Sequence, residues 1–260
     1  MKLISLNIWG GKYFDPLIDF IKQHKDTDIF CFQEIIDTKS NIKESNEFRA
    51  NLLSEIKKIL TDYQTFYFPV VEGFDFGANP VDFDLSFGQA IFLNNSIKIL
   101  SHEDYFIYKE ENFQILEKDF SNLPTPLQYI SILLDNKVFA IFNFHGRPIP
   151  GDKLDTKDRL MEAKKTKEII DKKTGGKVLV GDFNLLPQTE SIKIFQKDMR
   201  NLIAEFNIKR TRSRLSPFFG KTDFQKFADF TFVSSDVNVL DFKVPDITVS
   251  DHLPMILEFS

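Results

Sequence analysis

Val178-Leu-Val-Gly-Asp-Phe-Asn-Leu-Leu-Pro187 reads as a short buried strand with polar chemistry at its carboxyl end. The apolar run is rich in valine and too brief for a helix. Strand side chains alternate between faces, so the sequence predicts that Asp182 and Asn184 converge on one spot while Phe183 turns back into the protein. Gly181 permits close backbone approach just before the acid, and Pro187 is expected to stop the strand. A rigid strand end that offers a carboxylate and an amide to a cleft suits the activation of water.

Other apolar runs end in the same way. Residues 2–7 form an expected strand that terminates at Asn7 and leaves the sheet through Gly10-Gly11. A helix is expected over residues 15–23, with Pro16 in its first turn. Residues 28–33 make a second strand that delivers Glu34. Helical spacing of Phe48, Leu52, Ile56, Ile59 and Leu60 predicts a helix over 46–60, and strands follow at 64–71, 88–93 and 97–108. Residues 128–134 and 137–144 read as a hairpin around Asp135-Asn136, with His145 at its far end. A helix over 156–173 precedes the central strand at 177–182. Thr189 can cap a helix carrying Ile192 and Phe195, and a short helix is expected at 202–206. Strands at 227–233, 237–242 and 254–259 close the chain, with Ser250-Asp251-His252 before the last.

Two loops carry concentrated charge. Residues 72–84 hold Glu72, Asp75, Asp82 and Asp84 with no basic residue; a solvated loop with aromatic anchors is the reading adopted, and a lid screening substrates is the alternative. Lys209-Arg210-Thr-Arg212-Ser-Arg214 is the dense basic stretch, either a solvated face or a phosphate grip.

The chain has 260 residues, 42% hydrophobic and 27% charged, which suits one domain spanning 1–260. Its formal charge of −5 argues against avid, nonspecific DNA binding unless positive charge is local or supplied by a metal. The single cysteine, Cys31, lies in an apolar run and excludes an intrachain disulfide. No apolar run approaches membrane-spanning length, so membrane insertion is not expected, and a cytoplasmic location and a monomeric state are.

Ser5-Leu-Asn7-Ile-Trp-Gly, Phe32-Gln-Glu34, Asn143-Phe-His145, Gly181-Asp-Phe-Asn184, Ala228-Asp229-Phe-Thr-Phe and Ser250-Asp-His-Leu-Pro254 together resemble the motifs of the endonuclease/exonuclease/phosphatase superfamily, in that family's order. The resemblance implies an α/β (α+β) fold: a four-layer α/β/β/α sandwich of two mixed β-sheets with outer helices, and the site along one edge. It further implies a divalent-metal-dependent phosphodiesterase. Hard oxygen donors suit Mg²⁺ or Mn²⁺, and no Cys/His cluster with zinc spacing occurs. Glu34 is implied as the main metal ligand with Asn7 beside it, and Asp251 offers a further oxygen. Asp182 would orient or deprotonate the attacking water, Asn184 would donate a hydrogen bond, and Asp229 would hold His252. His145 matches a phosphate-contacting position. Some repair endonucleases carry an acid where this chain has Trp9, which leaves a second metal less secure; Trp9 could instead wall the site or stack a ring. Arg210 and Arg212 are the expected substrate-binding cations. Nucleic acid is the leading substrate expectation; a phosphatase or phospholipid diesterase acting on a small phosphorylated headgroup is the alternative, and a non-catalytic scaffold the third reading.

Overall fold

A computed structural model describes residues 1–109 and 122–260. In chain order the first elements are β1 (Lys2–Asn7), α1 (Phe14–Gln23), β2 (Ile29–Asp37), β3 (Glu44–Ser45), β4 (Phe48–Arg49) and α2 (Leu52–Ile59). There follow β5 (Tyr63–Glu72), β6 (Ser86–Asn94), β7 (Lys98–Tyr108), β8 (Thr125–Leu134), β9 (Lys137–His145) and α3 (Lys157–Asp171). The chain then runs through β10 (Gly176–Asp182), α4 (Glu190–Gln196), β11 (Met199–Asn201), α5 (Leu202–Glu205), β12 (Asp229–Ser234), β13 (Val239–Lys243) and β14 (Met255–Phe259).

Side-chain alternation sets the layering. In β1 and β2, Leu3, Ile29 and Cys31 join the core between the sheets, whereas Ile4, Leu6, Phe30 and Phe32 join a second core under α1 and α2. One sheet has the order β13-β14-β1-β2-β6-β5 and the other β11-β12-β10-β9-β8-β7. Each mixes parallel and antiparallel pairs. Residues of α3, α4 and α5 pack on the second sheet, so two mixed sheets face each other between outer helices. No helix among the described residues is long and apolar enough to cross a membrane.

Along the inward faces the composition changes from apolar to polar in one direction. Leu3 gives way to Ser5 and Asn7, Cys31 to Gln33, Ile141 to Asn143 and His145, and Val180 to Asp182. The apolar end holds the sheets together. The polar end is stitched across the layer: Gln33 Nε2 donates to Asn143 Oδ1 at 2.6 Å, and Gln89 Nε2 donates to the Asn143 carbonyl at 3.0 Å. Asn143 Nδ2 in turn donates to Gln128 Oε1 at 3.3 Å. Buried amides with partners of this kind fix the relative position of the sheets.

Three expectations need correction. The predicted helix over 46–60 is shortened to Leu52–Ile59, because Asn46 and Glu47 take left-handed conformations (φ 48° and 68°) that turn β3 into β4. Phe48 is drawn into this hairpin by stacking on Phe76, with ring centroids 4.2 Å apart. The central strand ends at Asp182, within its expected range of 177–182, but Pro187 is not what stops it: the chain has already turned at Asn184, which is left-handed (φ 52°). The short β11 has no counterpart among the expected elements; it pairs with the end of β12, Phe232 to Ser234.

Candidate active site

Strand direction explains why residues so far apart in sequence meet. β1 and β2 are parallel, as are β9 and β10, so Asn7, Glu34, His145 and Asp182 all stand at the same rim. β12 and β14 run the other way and begin where those strands end, which brings in Asp229 and, from the loop before β14, Asp251 and His252. In the ladder Asp182 lies opposite His145 on one side and Asp229 on the other. Gly181 makes this spacing possible: a Cβ there would lie 1.9 Å from the Phe144 carbonyl oxygen.

Glu34 reaches the cavity by a different device. Strict alternation would send it the way of Phe32, toward α1 and α2. The β2–β6 register shifts between Gln33 and Ile35, and Glu34 is the extra residue, with φ 58°. A bulge re-aims one side chain while the strand continues. Asn7 then joins the two sheets, its Nδ2 donating to Glu34 Oε1 at 2.9 Å and to Asp182 Oδ2 at 3.1 Å. The Asn7 oxygen turns the other way and accepts from the Trp9 amide at 3.0 Å.

The remaining groups surround Asp182. Its Oδ1 accepts from the Asn184 backbone amide at 2.9 Å, a local turn that needs the left-handed conformation of Asn184. Phe183 is buried, as expected from sequence, against Phe144, Phe195, Phe230 and Phe232. His252 Nδ1 donates to Asp229 Oδ1 and Oδ2 at 2.8 and 2.9 Å, and its Nε2 faces Asp182 Oδ2 at 3.5 Å. His145 Nε2 lies 3.8 Å from Glu34 Oε1 and 3.9 Å from Asp182 Oδ2. Arg212 donates to Asp251 Oδ2 at 2.7 Å and also meets His252 Nε2.

Burial and neighbouring charge divide these groups. Burial raises the Glu34 carboxyl to about 7, and the nearby Asp251 adds to the shift. Burial acts the same way on Asp182, but His252, Lys153, His145 and Arg212 outweigh it and hold that carboxyl below its ordinary range. For His252, burial and Arg212 oppose the proton while Asp229, Asp251 and Asp182 favour it more strongly, so its pKa is raised. Burial lowers His145 and raises Asp229. The cluster therefore contains an acid that stays ionised, an imidazole that tends to the cationic form, and a carboxyl short of positive charge.

Above this polar floor stands a cavity of about 400 Å³. Glu34, His145, Asp182, Asn184, Asp251 and His252 line its base, and Val71, Phe74, Phe76, Phe87, Ile149 and Phe218 line its walls. The loop at 72–84 thus contributes two aromatic walls as well as anchors, with Asp75 folded back onto the amides of Gly77 and Asn79. Trp9 is a wall residue stacked on Tyr13. Of the two expected substrate-binding arginines, Arg212 lines the cavity and Arg210 does not: its guanidinium is tied to Asp246 at 2.6 Å and to the Arg212 carbonyl at 2.8 Å. Lys153 lines the cavity as well, and no sequence pattern marks it for the site. It lies in an irregular loop with no periodicity to give it a face, and the polar strand end at His145 just before it is the one signal in its favour.

A model of the Endonuclease/Exonuclease/phosphatase family matches residues 4–252. The chain belongs to the endonuclease/exonuclease/phosphatase family. Members of this family are phosphoric ester hydrolases that depend on a divalent metal, and this chain is such an enzyme. No curated protein matches it in a sequence search. Among solved structures it is similar to a mannosyl-6-phosphatase from Bacteroides thetaiotaomicron, with 19% identity, a TM-score of 0.69, and coverage of 100% of this chain and 99% of that one. An endonuclease/exonuclease/phosphatase family protein from Leptotrichia buccalis is 16% identical, with a TM-score of 0.72 and coverage of 100% and 99%. TDP2 from D. rerio, complexed with a single-strand DNA product, is 13% identical, with a TM-score of 0.69 and coverage of 100% and 98%. At these identities the likeness establishes the shared fold.

The family's metal requirement fits the residues present. Glu34, His145 and Asp182 place one ligand atom each within 4.8 Å of one another. The raised Glu34 carboxyl and the His145 Nε2, buried without a hydrogen-bond partner among the described residues, are what a cation would satisfy.

Proposed function

We propose that this family member hydrolyses phosphate esters carried on compact organic molecules, using Mg²⁺ or Mn²⁺ held by Glu34 with His145 beside it, and with Asp251, whose charge acts on the Glu34 carboxyl, as a further oxygen donor. Asn7 would have to turn its amide over to add an oxygen to that set. When bound, the ion neutralises charge on the phosphoryl group and polarises it. Asp182 stays ionised and accepts a hydrogen bond from the attacking water, orienting it and drawing off its proton. Asn184 and His145 face the same space. A phosphoryl oxygen entering between Arg212 and His252 accepts from both, and Asp229 keeps the imidazole aimed. These roles fall within one catalytic unit over residues 1–260, which we place in the cytoplasm as a monomer.

The observation that carries the reading is the cavity: an acidic and cationic floor under apolar walls, of a volume suited to one small molecule. Of the basic stretch only Arg212 joins it, so a continuous basic track for a polynucleotide backbone is missing among the residues lining it. A nucleic-acid end is the second reading, favoured by Trp9, whose indole lines the cavity and could stack a terminal base. Hydrolysis should be assayed with Mg²⁺ and with Mn²⁺ on sugar phosphates, aryl phosphates, an aryl phosphodiester and 5′-phosphorylated oligonucleotides, beside Asp182→Ala. Turnover of small esters that disappears in the variant supports the proposal; turnover of oligonucleotides alone would replace it with the second reading.

A further inference from the structure

Lys153 is a cation with too few partners for its burial. It is 8% exposed, its backbone is left-handed (φ 58°), and its ammonium donates to Asn184 Oδ1 at 2.5 Å. An ammonium carries three donors. Among the described residues no second acceptor answers it, and no carboxylate lies within ion-pair distance. The Asp182 carboxylate acts on it only from beyond ion-pair distance, so two donors of a buried ammonium stay unanswered at an active site, which calls for a ligand.

The loop that carries Lys153 is built to hold it there. Arg159 on α3, itself 1% exposed, donates to the carbonyls of Arg147 at 3.2 Å, Pro150 at 2.5 Å and Leu154 at 2.7 Å, bracing the loop on both sides of Lys153. The Leu186 amide donates to the Lys153 carbonyl at 2.9 Å, tying the loop to the segment that follows Asp182. Lys153 shares the cavity with Asp182 and Arg212. Arg212, unlike Lys153, already has Asp251, Ser216 and His252 as partners.

We propose that Lys153 binds a terminal phosphate oxygen of the substrate and so selects dianionic phosphate monoesters over monoanionic diesters. The proposal rests on the reading that phosphate esters are hydrolysed in this cavity. A monoester at neutral pH carries nearly two charges and three terminal oxygens, whereas a diester carries one charge and two such oxygens. The charge of Lys153 and one of its open donors match the additional charge and the additional terminal oxygen of the monoester. Fixing the Asn184 amide would by itself require only one neutral donor, because Asn184 Nδ2 is already held by the Gly146 carbonyl at 3.1 Å.

The test compares wild type with Lys153→Met, which keeps the volume, and Lys153→Gln, which keeps a donor for Asn184 without the charge. With an aryl monoester and the matching aryl methyl diester, both variants should lower the monoester-to-diester ratio of kcat/KM by about 30-fold or more, the loss expected when one partner of a buried charge pair is removed. Binding of inorganic phosphate, followed by calorimetry, should weaken at least about 10-fold in both variants. Thermal melting confirms that each variant is folded. An unchanged ratio, full recovery of the ratio in Lys153→Gln, or phosphate binding that is absent in wild type or equal in all three proteins would overturn the assignment. Phosphate binding lost with Lys153, in a protein that cleaves neither ester, would support the clamp while removing the hydrolytic reading beneath it.

Discussion

Asp229 grips His252 by a single nitrogen: Nδ1 donates to both carboxylate oxygens at 2.8 and 2.9 Å, and Nε2 is thereby aimed at Asp182, 3.5 Å away. A carboxylate in this position selects the tautomer and stabilises the cation. We expect Asp229→Asn to lower kcat on the order of 10³-fold or more with little change in KM, since an amide can hold the ring in the wrong tautomer. Steady-state kinetics decide the matter, and a kcat within tenfold of wild type would remove His252 from the chemistry.

Glu34 links metal binding to pH. Its folded pKa of about 7 exceeds the ordinary 4.5, so between these values the metal-free native state binds more protons than the unfolded chain. Stability of the metal-free protein should therefore fall as pH rises from about 5 to 7, by up to about 3 kcal/mol, an upper bound because the side chain keeps 20% exposure. A bound divalent ion favours the ionised form and should reverse the trend. Melting curves in chelator and in millimolar Mg²⁺ across this range give the comparison; parallel curves would count against Glu34 as a ligand.

Gly181 is expected to be intolerant even of alanine. Its φ of 140° is unfavourable for an L-residue, and the added Cβ would sit 1.9 Å from the Phe144 carbonyl in the adjacent strand. Gly181→Ala should cost at least about 3 kcal/mol, or force β9 and β10 apart and misplace Asp182. Denaturant unfolding measures the first effect. A variant with wild-type stability and activity would mean that the two strands can part freely.

Phe218 is half exposed at the mouth of the cavity and lines its wall. Truncation to alanine should raise KM about 3- to 10-fold for substrates with an apolar alcohol group and leave kcat nearly unchanged, because that contact is equal in ground and transition states. Comparing an aryl phosphate with a short polar phosphate separates this from a general loss: the polar ester should be indifferent to the change.

Much of this site is legible in the linear chain because strands end where apolar runs end. Asn7, His145, Asp182 and Asp229 stand at strand ends and His252 just before β14, so strand direction takes them to one rim; Glu34 follows an apolar run, but β2 continues to Asp37 and a bulge turns its side chain to the site. Local pattern also places α1, the Asp135-Asn136 hairpin turn and the Thr189 cap. Pattern fails where a tertiary contact outweighs local preference. Phe48 belongs to a helical stripe in sequence, yet it leaves the helix to stack on Phe76.

The sequence by itself determined which polar groups gather and on which edge, because periodicity and chain breaks are local properties of neighbouring residues. Tertiary structure alone decided the rest. Arg210 and Arg212 are equivalent in a basic run, but Asp246 captures one and Asp251 the other. Glu34 enters the cavity through a bulge that only its partner strand reveals, and Lys153 becomes a buried cation only because Arg159 folds its loop over the site. Partner choice and burial depend on groups that are distant in the chain, and no window of sequence contains them.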